Sequence, residues 1–115
     1  MKPLRLVLLL AAVLVPPAFA HAMLLESMPA PDSTVSPPGS ISIIFSEEIL
    51  DGASVTLTRG GTPVPLDNPV LAANHSVLTT SPVAPLTQGK YTVSWHNTAR
   101  DDGHQASGSF SFYVK

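Results

Sequence analysis

The chain has 115 residues, no cysteine, and a formal net charge of −2 from six basic and eight acidic side chains. The absence of cysteine excludes a fold held by disulfides and a blue-copper electron carrier, because the blue-copper site needs a thiolate ligand. So few basic side chains also exclude the positive patch with which proteins bind nucleic acids or anionic membranes.

The first twenty residues have the pattern of a secretory signal peptide. Two basic residues precede the apolar run 6–15, and a small-residue cleavage site follows at 18–20. The run is shorter than the ~20 apolar residues of a membrane-spanning helix. We therefore predict that residues 1–20 are a cleaved leader and that a single exported domain, residues 21–115, begins at His21. That domain carries four basic and eight acidic side chains, a net charge of −4.

The first half of this domain contains three predicted strands. Residues 22–27 form a short first strand, and a stretch rich in turn-forming residues follows. Residues 41–46 and 54–59 alternate between apolar and polar side chains, the period-2 pattern of a half-buried strand. The pair Gly60-Gly61 that follows is typical of a hairpin turn.

The second half contains up to four more strands. Residues 64–66 form a weak strand that must lie at a sheet edge, because prolines interrupt it. Residues 76–80 form a short strand, and the proline-containing segment 81–89 is a loop. Residues 91–96 show the clearest alternation in the chain, and residues 107–115 form the last strand.

These patterns predict an all-β domain. Nine of the twelve prolines lie after residue 20, and no helical period extends over a useful length. Six or seven short strands in under a hundred residues indicate a small antiparallel Greek-key sandwich or barrel. Its predicted core consists of Ile41, Ile43, Phe45, Val55, Leu57, Tyr91, Val93, Trp95, Phe110 and Phe112.

Two places in the domain carry donors for a metal ion. After cleavage, His21 would offer both an α-amine and an imidazole, which can close a chelate ring on one ion. Asp102 and His104, separated by Gly103, would offer a carboxylate and a second imidazole on the same side of an extended segment. Nitrogen and oxygen donors in a square-planar set suit copper(II), so we predict one copper(II) site formed by these two places.

The remaining histidines and methionines have ordinary interpretations. His75 follows a loop asparagine and is predicted to be solvated, and His96 lies opposite the core-facing Trp95 and is predicted to be exposed. Met23 and Met28 are predicted to be hydrophobic residues of the core or its rim, because a copper(I) site needs several thioethers close together.

Four segments of the chain resemble one family. A secreted β-domain that opens with His21-Ala22, carries Phe45-Ser46-Glu47, and ends with Asp102-Gly103-His104 and then Gly108-Ser109-Phe110-Ser111-Phe112 is similar to the CopC family of periplasmic copper-resistance proteins. The resemblance covers essentially all of residues 21–115. It implies an immunoglobulin-like or cupredoxin-like Greek-key sandwich that binds one copper(II) ion tightly.

The resemblance also implies roles for individual residues. His21 would give its amine and imidazole, His104 its imidazole, and Asp102 a carboxylate at or near the metal. Glu47 matches an acidic residue near the site, expected as a hydrogen-bond partner rather than a ligand. The segment between Trp95 and Asp102 is about one residue longer than the usual family pattern, so a bulge is expected before the site, and Asp101 remains an alternative to Asp102.

Three functions fit these observations. The first is a monomeric, non-catalytic periplasmic copper(II) carrier or buffer that could deliver copper to an inner-membrane transporter, CopD-like by the resemblance. The family's methionine-rich copper(I) loop is missing, so the chain resembles the copper(II)-only kind. The second is a copper monooxygenase-like enzyme with a histidine brace, and the third is a structural β-domain with incidental histidines.

Overall fold

The computed structural model describes residues 21–115, which form nine strands. Residues 1–20, the predicted leader, lie outside the described part of the chain. The strands are β1 Leu24–Met28, β2 Thr34–Val35, β3 Ile41–Phe45, β4 Ser54–Arg59, β5 Thr62–Val64, β6 Val70–Leu71, β7 Val77–Thr80, β8 Gly89–Thr98 and β9 Gln105–Val114. Within residues 21–115 no helix is long and apolar enough to cross a membrane.

The strands form two sheets that pack as a sandwich. One sheet has the order β1-β3-β7-β6 and the other the order β2-β9-β8-β4-β5. The predicted all-β sandwich is confirmed, but the structure has nine strands rather than six or seven. The two-residue strands β2 and β6 were not predicted, and β2 pairs with β9 in parallel, so the sheets are not purely antiparallel.

The core lies where the inward faces of the two sheets meet. Every second residue of β3 and β8 points inward, so Ile41, Ile43, Tyr91 and Val93 are almost completely buried. Phe110 and Phe112 of β9 are buried as predicted. Of the predicted core, only Val55 is half-buried, and it packs against the rest from the side.

Trp95 occupies its place in the core because its neighbour on β9 has no side chain. Trp95 pairs with Gly108 across the sheet, and its ring packs edge-on against Phe45 with the centroids 5.1 Å apart. A β-carbon at position 108 would lie 2.5 Å from Cζ2 of Trp95, a distance that real contacts do not reach. The indole therefore lies directly over the glycine, as aromatic side chains do over glycines in other sheets.

Each sheet ends in a short or irregular edge strand. The hairpin between β4 and β5 turns at Gly60 and Gly61, whose φ angles are +55° and +80°, as the sequence predicted for this turn. The predicted weak edge strand is β5, residues 62–64 rather than 64–66, and Pro63 lies within it. On the other sheet, the pairing of β1 with β3 contains an irregularity between Leu24 and Glu26.

We expect Gly108→Ala to destabilise the protein by about 1–3 kcal/mol, because the new methyl group must displace the Trp95 indole from a packed core. Urea unfolding followed by tryptophan fluorescence measures this change. Gly39→Ala is the matched control, since a β-carbon there meets nothing within 4 Å. Equal stability of the two variants would contradict the packing described here.

Candidate metal centre

The loop between β8 and β9 carries the predicted Asp102-Gly103-His104 motif. The two strands pair without interruption from Gly89 with Val114 to Thr98 with Gln105. The pairing of β8 with β9 therefore contains no bulge before the site, contrary to the expectation from the sequence. The backbone N–H of Ala99 donates to the carbonyl of His104 at 2.8 Å, which closes the loop.

Gly103 makes the tight turn within this loop possible. Its φ angle of +72° lies in the left-handed region, which glycine adopts without strain. Its backbone N–H donates to the carbonyl of Ala99 at 3.1 Å. The turn places Asp102 and His104 side by side at its end.

Both carboxylate oxygens of Asp102 contact His104. Nδ1 of His104 lies 2.8 Å from Oδ2 of Asp102, and the backbone N–H of His104 donates to Oδ1 at 3.1 Å. That backbone hydrogen bond, with a further contribution from the nearby imidazole, holds the pKa of Asp102 below its ordinary value of 3.8 against a smaller opposing effect of desolvation. The carboxylate therefore orients the ring of His104.

Residues 21–23 precede β1 and are held by the side chains of Asn97 and Ser46 and by one backbone bond, in which the N–H of Ser46 donates to the carbonyl of Met23 at 2.8 Å. The amide Nδ2 of Asn97 donates to the carbonyl of Ala22 at 2.9 Å, and both residues are completely buried. The hydroxyl of Ser46 accepts a hydrogen bond from the backbone N–H of Met23 at 3.0 Å and donates to the carbonyl of His21 at 3.4 Å. The predicted first strand, residues 22–27, accordingly begins only at Leu24.

These contacts bring the two predicted histidines together. The rings of His21 and His104 meet edge to face, with their centroids 5.4 Å apart and their planes at 81°. His21 is half-buried and His104 is exposed at the end of the sandwich. Two imidazoles from opposite ends of the chain, one of them bonded to a carboxylate, thus lie side by side.

The other predicted acidic residues make no such contact. Asp101 and Glu47 are exposed, and neither forms a hydrogen bond or ion pair with another described residue. Glu48, the neighbour of Glu47, instead contacts Arg100. Its backbone carbonyl accepts a hydrogen bond from the backbone N–H of Arg100 at 2.9 Å, and its carboxylate Oε2 lies 3.5 Å from Nη1 of the guanidinium. The structure therefore places Asp102, and neither Asp101 nor Glu47, against His104.

The remaining histidines and methionines lie apart from this pair. His96 is exposed as predicted, 3.3 Å from Gln105. His75 is half-buried rather than solvated, because its Nδ1 lies 3.3 Å from the carbonyl of Ile49. Its backbone has a positive φ angle of +59°. Met23 and Met28 are 48% and 71% exposed, so of the two predicted places, core or rim, neither side chain lies in the core.

The described residues hold a partial donor set. Within residues 21–115, no three or more histidine, aspartate or glutamate side chains are grouped so that they could hold a metal ion by themselves. The structure assembles two rings and one carboxylate that engages the second ring.

Sequence reasoning missed Asn97, although the sequence contains a signal for it. Tyr91, Val93 and Trp95 point inward at every second position of β8, and Asn97 continues that inward face with a polar amide. A polar side chain in such a position requires a buried partner. Only the structure shows that the partner is the carbonyl of Ala22, 75 residues away in sequence.

Known proteins share this arrangement of strands and this sequence. Residues 24–115 match the CopC domain family. Copper resistance protein C of Xanthomonas campestris pv. juglandis is 36% identical over 106 residues, which cover 85% of this chain and 83% of that protein. The crystal structure of PcoC, a methionine-rich copper resistance protein from Escherichia coli, is similar with a TM-score of 0.75 and 30% identity, over 83% of this chain and 99% of that one.

A larger relative matches this chain over part of its own length. The copper transport protein CutJ of Bacillus subtilis (strain 168) is 30% identical over 114 residues, which are 95% of this chain but 21% of that protein. The fold and the paired histidines define a small β-sandwich domain with a candidate metal site at one end. The chain belongs to the CopC family, and its relatives are named for copper resistance and copper transport.

We expect the Asp102 carboxyl of the metal-free protein to titrate below 3.8, because the fold favours its ionised form. The resulting stabilisation is present above the unfolded pKa and is lost as the pH falls through the lowered folded pKa. His104→Ala should raise the titration midpoint but leave it below the ordinary value, because the backbone N–H of residue 104 remains. NMR titration of the carboxyl carbon measures this, and a full return to the ordinary value would contradict the assignment of the backbone hydrogen bond as the main cause.

Proposed function

We propose that this protein is an exported copper(II)-binding protein whose site is formed by His21, His104 and Asp102. The observation that carries the proposal is the contact between the two imidazole rings, whose centroids lie 5.4 Å apart. Relatives named for copper resistance and copper transport support copper as the metal.

Cleavage of the leader is the step that completes the site in this proposal. Processing after Ala20 would convert the backbone nitrogen of His21 from a peptide nitrogen, which is a poor donor, into an amine. The unperturbed pKa of such an amine is ~8 and that of imidazole is ~6.5, so a metal has to displace only weakly held protons near neutral pH. His21 would then give two nitrogen donors and His104 a third.

Asp102 would complete the equatorial set with an oxygen. Oδ2 of Asp102 lies 2.8 Å from Nδ1 of His104, so both atoms are within reach of one ion. To bind copper(II), each group would turn a lone pair from the other group toward the ion. Glu47 is exposed one residue after Ser46, from where it could hydrogen-bond a water on the metal.

The donor set favours copper(II) over copper(I). Copper(I) prefers several thioethers, and residues 21–115 contain only Met23 and Met28. Met23 directly precedes the five-residue strand β1 and Met28 is its last residue, so the two are about 16 Å apart along the chain. Two nitrogens from one residue, a third ring nitrogen and a carboxylate oxygen form the tetragonal set that copper(II) prefers.

The proposed role is that of a periplasmic carrier or buffer that binds one ion per monomer and catalyses no reaction. The match with about one fifth of the larger copper transport protein CutJ supports a transport role, because the same domain occurs there joined to other parts of a transport protein. A separate carrier would serve copper transport by docking to an inner-membrane transporter of the CopD-like kind and delivering its ion there.

We expect His21→Ala and His104→Ala each to weaken copper(II) binding by at least about 100-fold. Loss of a residue that only orients a ligand typically costs 10–100-fold, and loss of a donor should cost more. Competition with a chelator of known affinity, together with the EPR spectrum of the bound ion, measures both the affinity and the number of nitrogen donors. One residue added before His21 should act like His21→Ala, because it removes the terminal chelate ring.

His75→Ala and His96→Ala are the matched controls for this experiment and should leave the affinity unchanged. Mass spectrometry of the exported protein reports its first residue and its copper stoichiometry in the same measurement. Wild-type affinity after the addition of an N-terminal residue would refute the proposed site, and exported protein that begins elsewhere than at His21 would do so as well.

We expect Asp102→Asn to weaken copper(II) binding by about 10–100-fold, because a neutral amide oxygen is a weaker donor and a weaker partner for the His104 ring. Asp101→Asn is the control, since that side chain is exposed and forms no hydrogen bond or ion pair with a described residue. Chelator competition on both variants measures the difference. A larger loss in Asp101→Asn would reassign the carboxylate to position 101.

A further inference from the structure

Asn97 is a completely buried polar residue in the apolar stripe of β8. The three side chains before it on the same face are Tyr91, Val93 and Trp95, each 3% exposed or less. Its Nδ2 donates to the carbonyl of Ala22 at 2.9 Å, whereas its Oδ1 is buried and has no partner. A buried acceptor without a partner opposes folding, so this amide is a poor choice for stability alone.

The partner of Asn97 distinguishes it from the other buried polar side chains. Ser27 donates its hydroxyl to the carbonyl of Pro29, and Thr80 donates to that of Asp67. These bonds join neighbouring segments away from the two histidines. The Asn97 bond instead joins β8 to the residue that directly follows His21.

This bond connects the two halves of the candidate site through one strand. Beyond Asn97, β8 leads directly into loop 99–104, which carries His104. Ala22 is held to the same strand, and the peptide that joins it to His21 is rigid. Ser46 also holds this segment, through two bonds to Met23 of 2.8 and 3.0 Å and one of 3.4 Å to the His21 carbonyl, but Ser46 is exposed. Asn97 therefore provides the buried connection, and it does so at the residue next to His21.

We infer that Asn97 is a positioning residue that holds His21 at the separation from His104 that the site requires. The effect of Asn97 on metal binding rests on the proposed function, whereas its effect on the distance between the two rings does not. The experiment therefore measures the two consequences separately, on the exported protein that begins at His21.

The first measurement uses the metal-free protein. NMR should show nuclear Overhauser effects between the ring protons of His21 and His104 in the wild type, and these should disappear in Asn97→Leu. Leucine has the same number and branching of side-chain heavy atoms as asparagine and cannot donate. Thr80→Val is the matched control, because it too removes a buried side-chain donor, here a hydroxyl, but at a bond far from both rings. This variant should keep the nuclear Overhauser effects between the rings. Retention of the ring contact in a folded Asn97→Leu protein would overturn the inference.

The second measurement is copper(II) affinity in two backgrounds. Asn97→Leu should weaken binding by about 10–100-fold in the wild type, the usual effect of a residue that orients a ligand. In the His21→Ala background it should add nothing, because Asn97 acts through His21. An equal loss in both backgrounds would show a general effect on the fold and would overturn the inference.

Two further results complete the test. If Asn97→Leu does not fold, Asn97→Ala gives the same two comparisons, and loss of the ring contact in that folded variant would support the inference. If the wild-type protein binds no copper(II), the proposed function fails, and the ring contact alone decides whether Asn97 positions His21.

Discussion

The uninterrupted pairing of β8 with β9 is the constraint on which the rest of the structure depends. The two ten-residue strands form the centre of the five-stranded sheet, with β4 on one side and β2 on the other. Because side chains alternate between faces, a shift of one residue would turn every inward side chain outward. The register that buries Trp95 and Phe112 is the same register that fixes loop 99–104 at the end of the sandwich. The core and the candidate site are therefore specified together.

The two halves of the candidate site are held by different kinds of bond. Loop 99–104 joins β8 to β9, which pair over ten residues each, so displacing this loop would break hydrogen bonds of the sheet. Residues 21–23 are held by the side chains of Ser46 and Asn97 and by one backbone bond from Ser46 to Met23. Segments with few such bonds open at a lower free energy than the ladder does. A ligand that needs both rings gains affinity to the extent that these contacts already hold His21 in place.

The sequence predicted what depends on local pattern and missed what depends on distant packing. Strands β3, β8 and β9 were predicted because a buried face leaves a period of two, whereas the two-residue strands β2 and β6 are too short to show a period. The candidate residues His21, Asp102 and His104 were recognised by their chemistry and by family resemblance, and the structure brings them together. The half-burial of His75 against Ile49 depends on how two loops pack, which no local pattern records.

The edges of the two sheets have a consequence for a chain that must fold without disulfides. Edge strands β2 and β6 are two residues long, β5 has three residues with Pro63 among them, and β1 is irregular near Leu24. Each edge thus offers a neighbouring chain few consecutive free N–H and C=O groups, the template that amyloid-like growth requires. The short and irregular edges of this sandwich act as protection against polymerisation, a property that matters most while many copies are folding side by side.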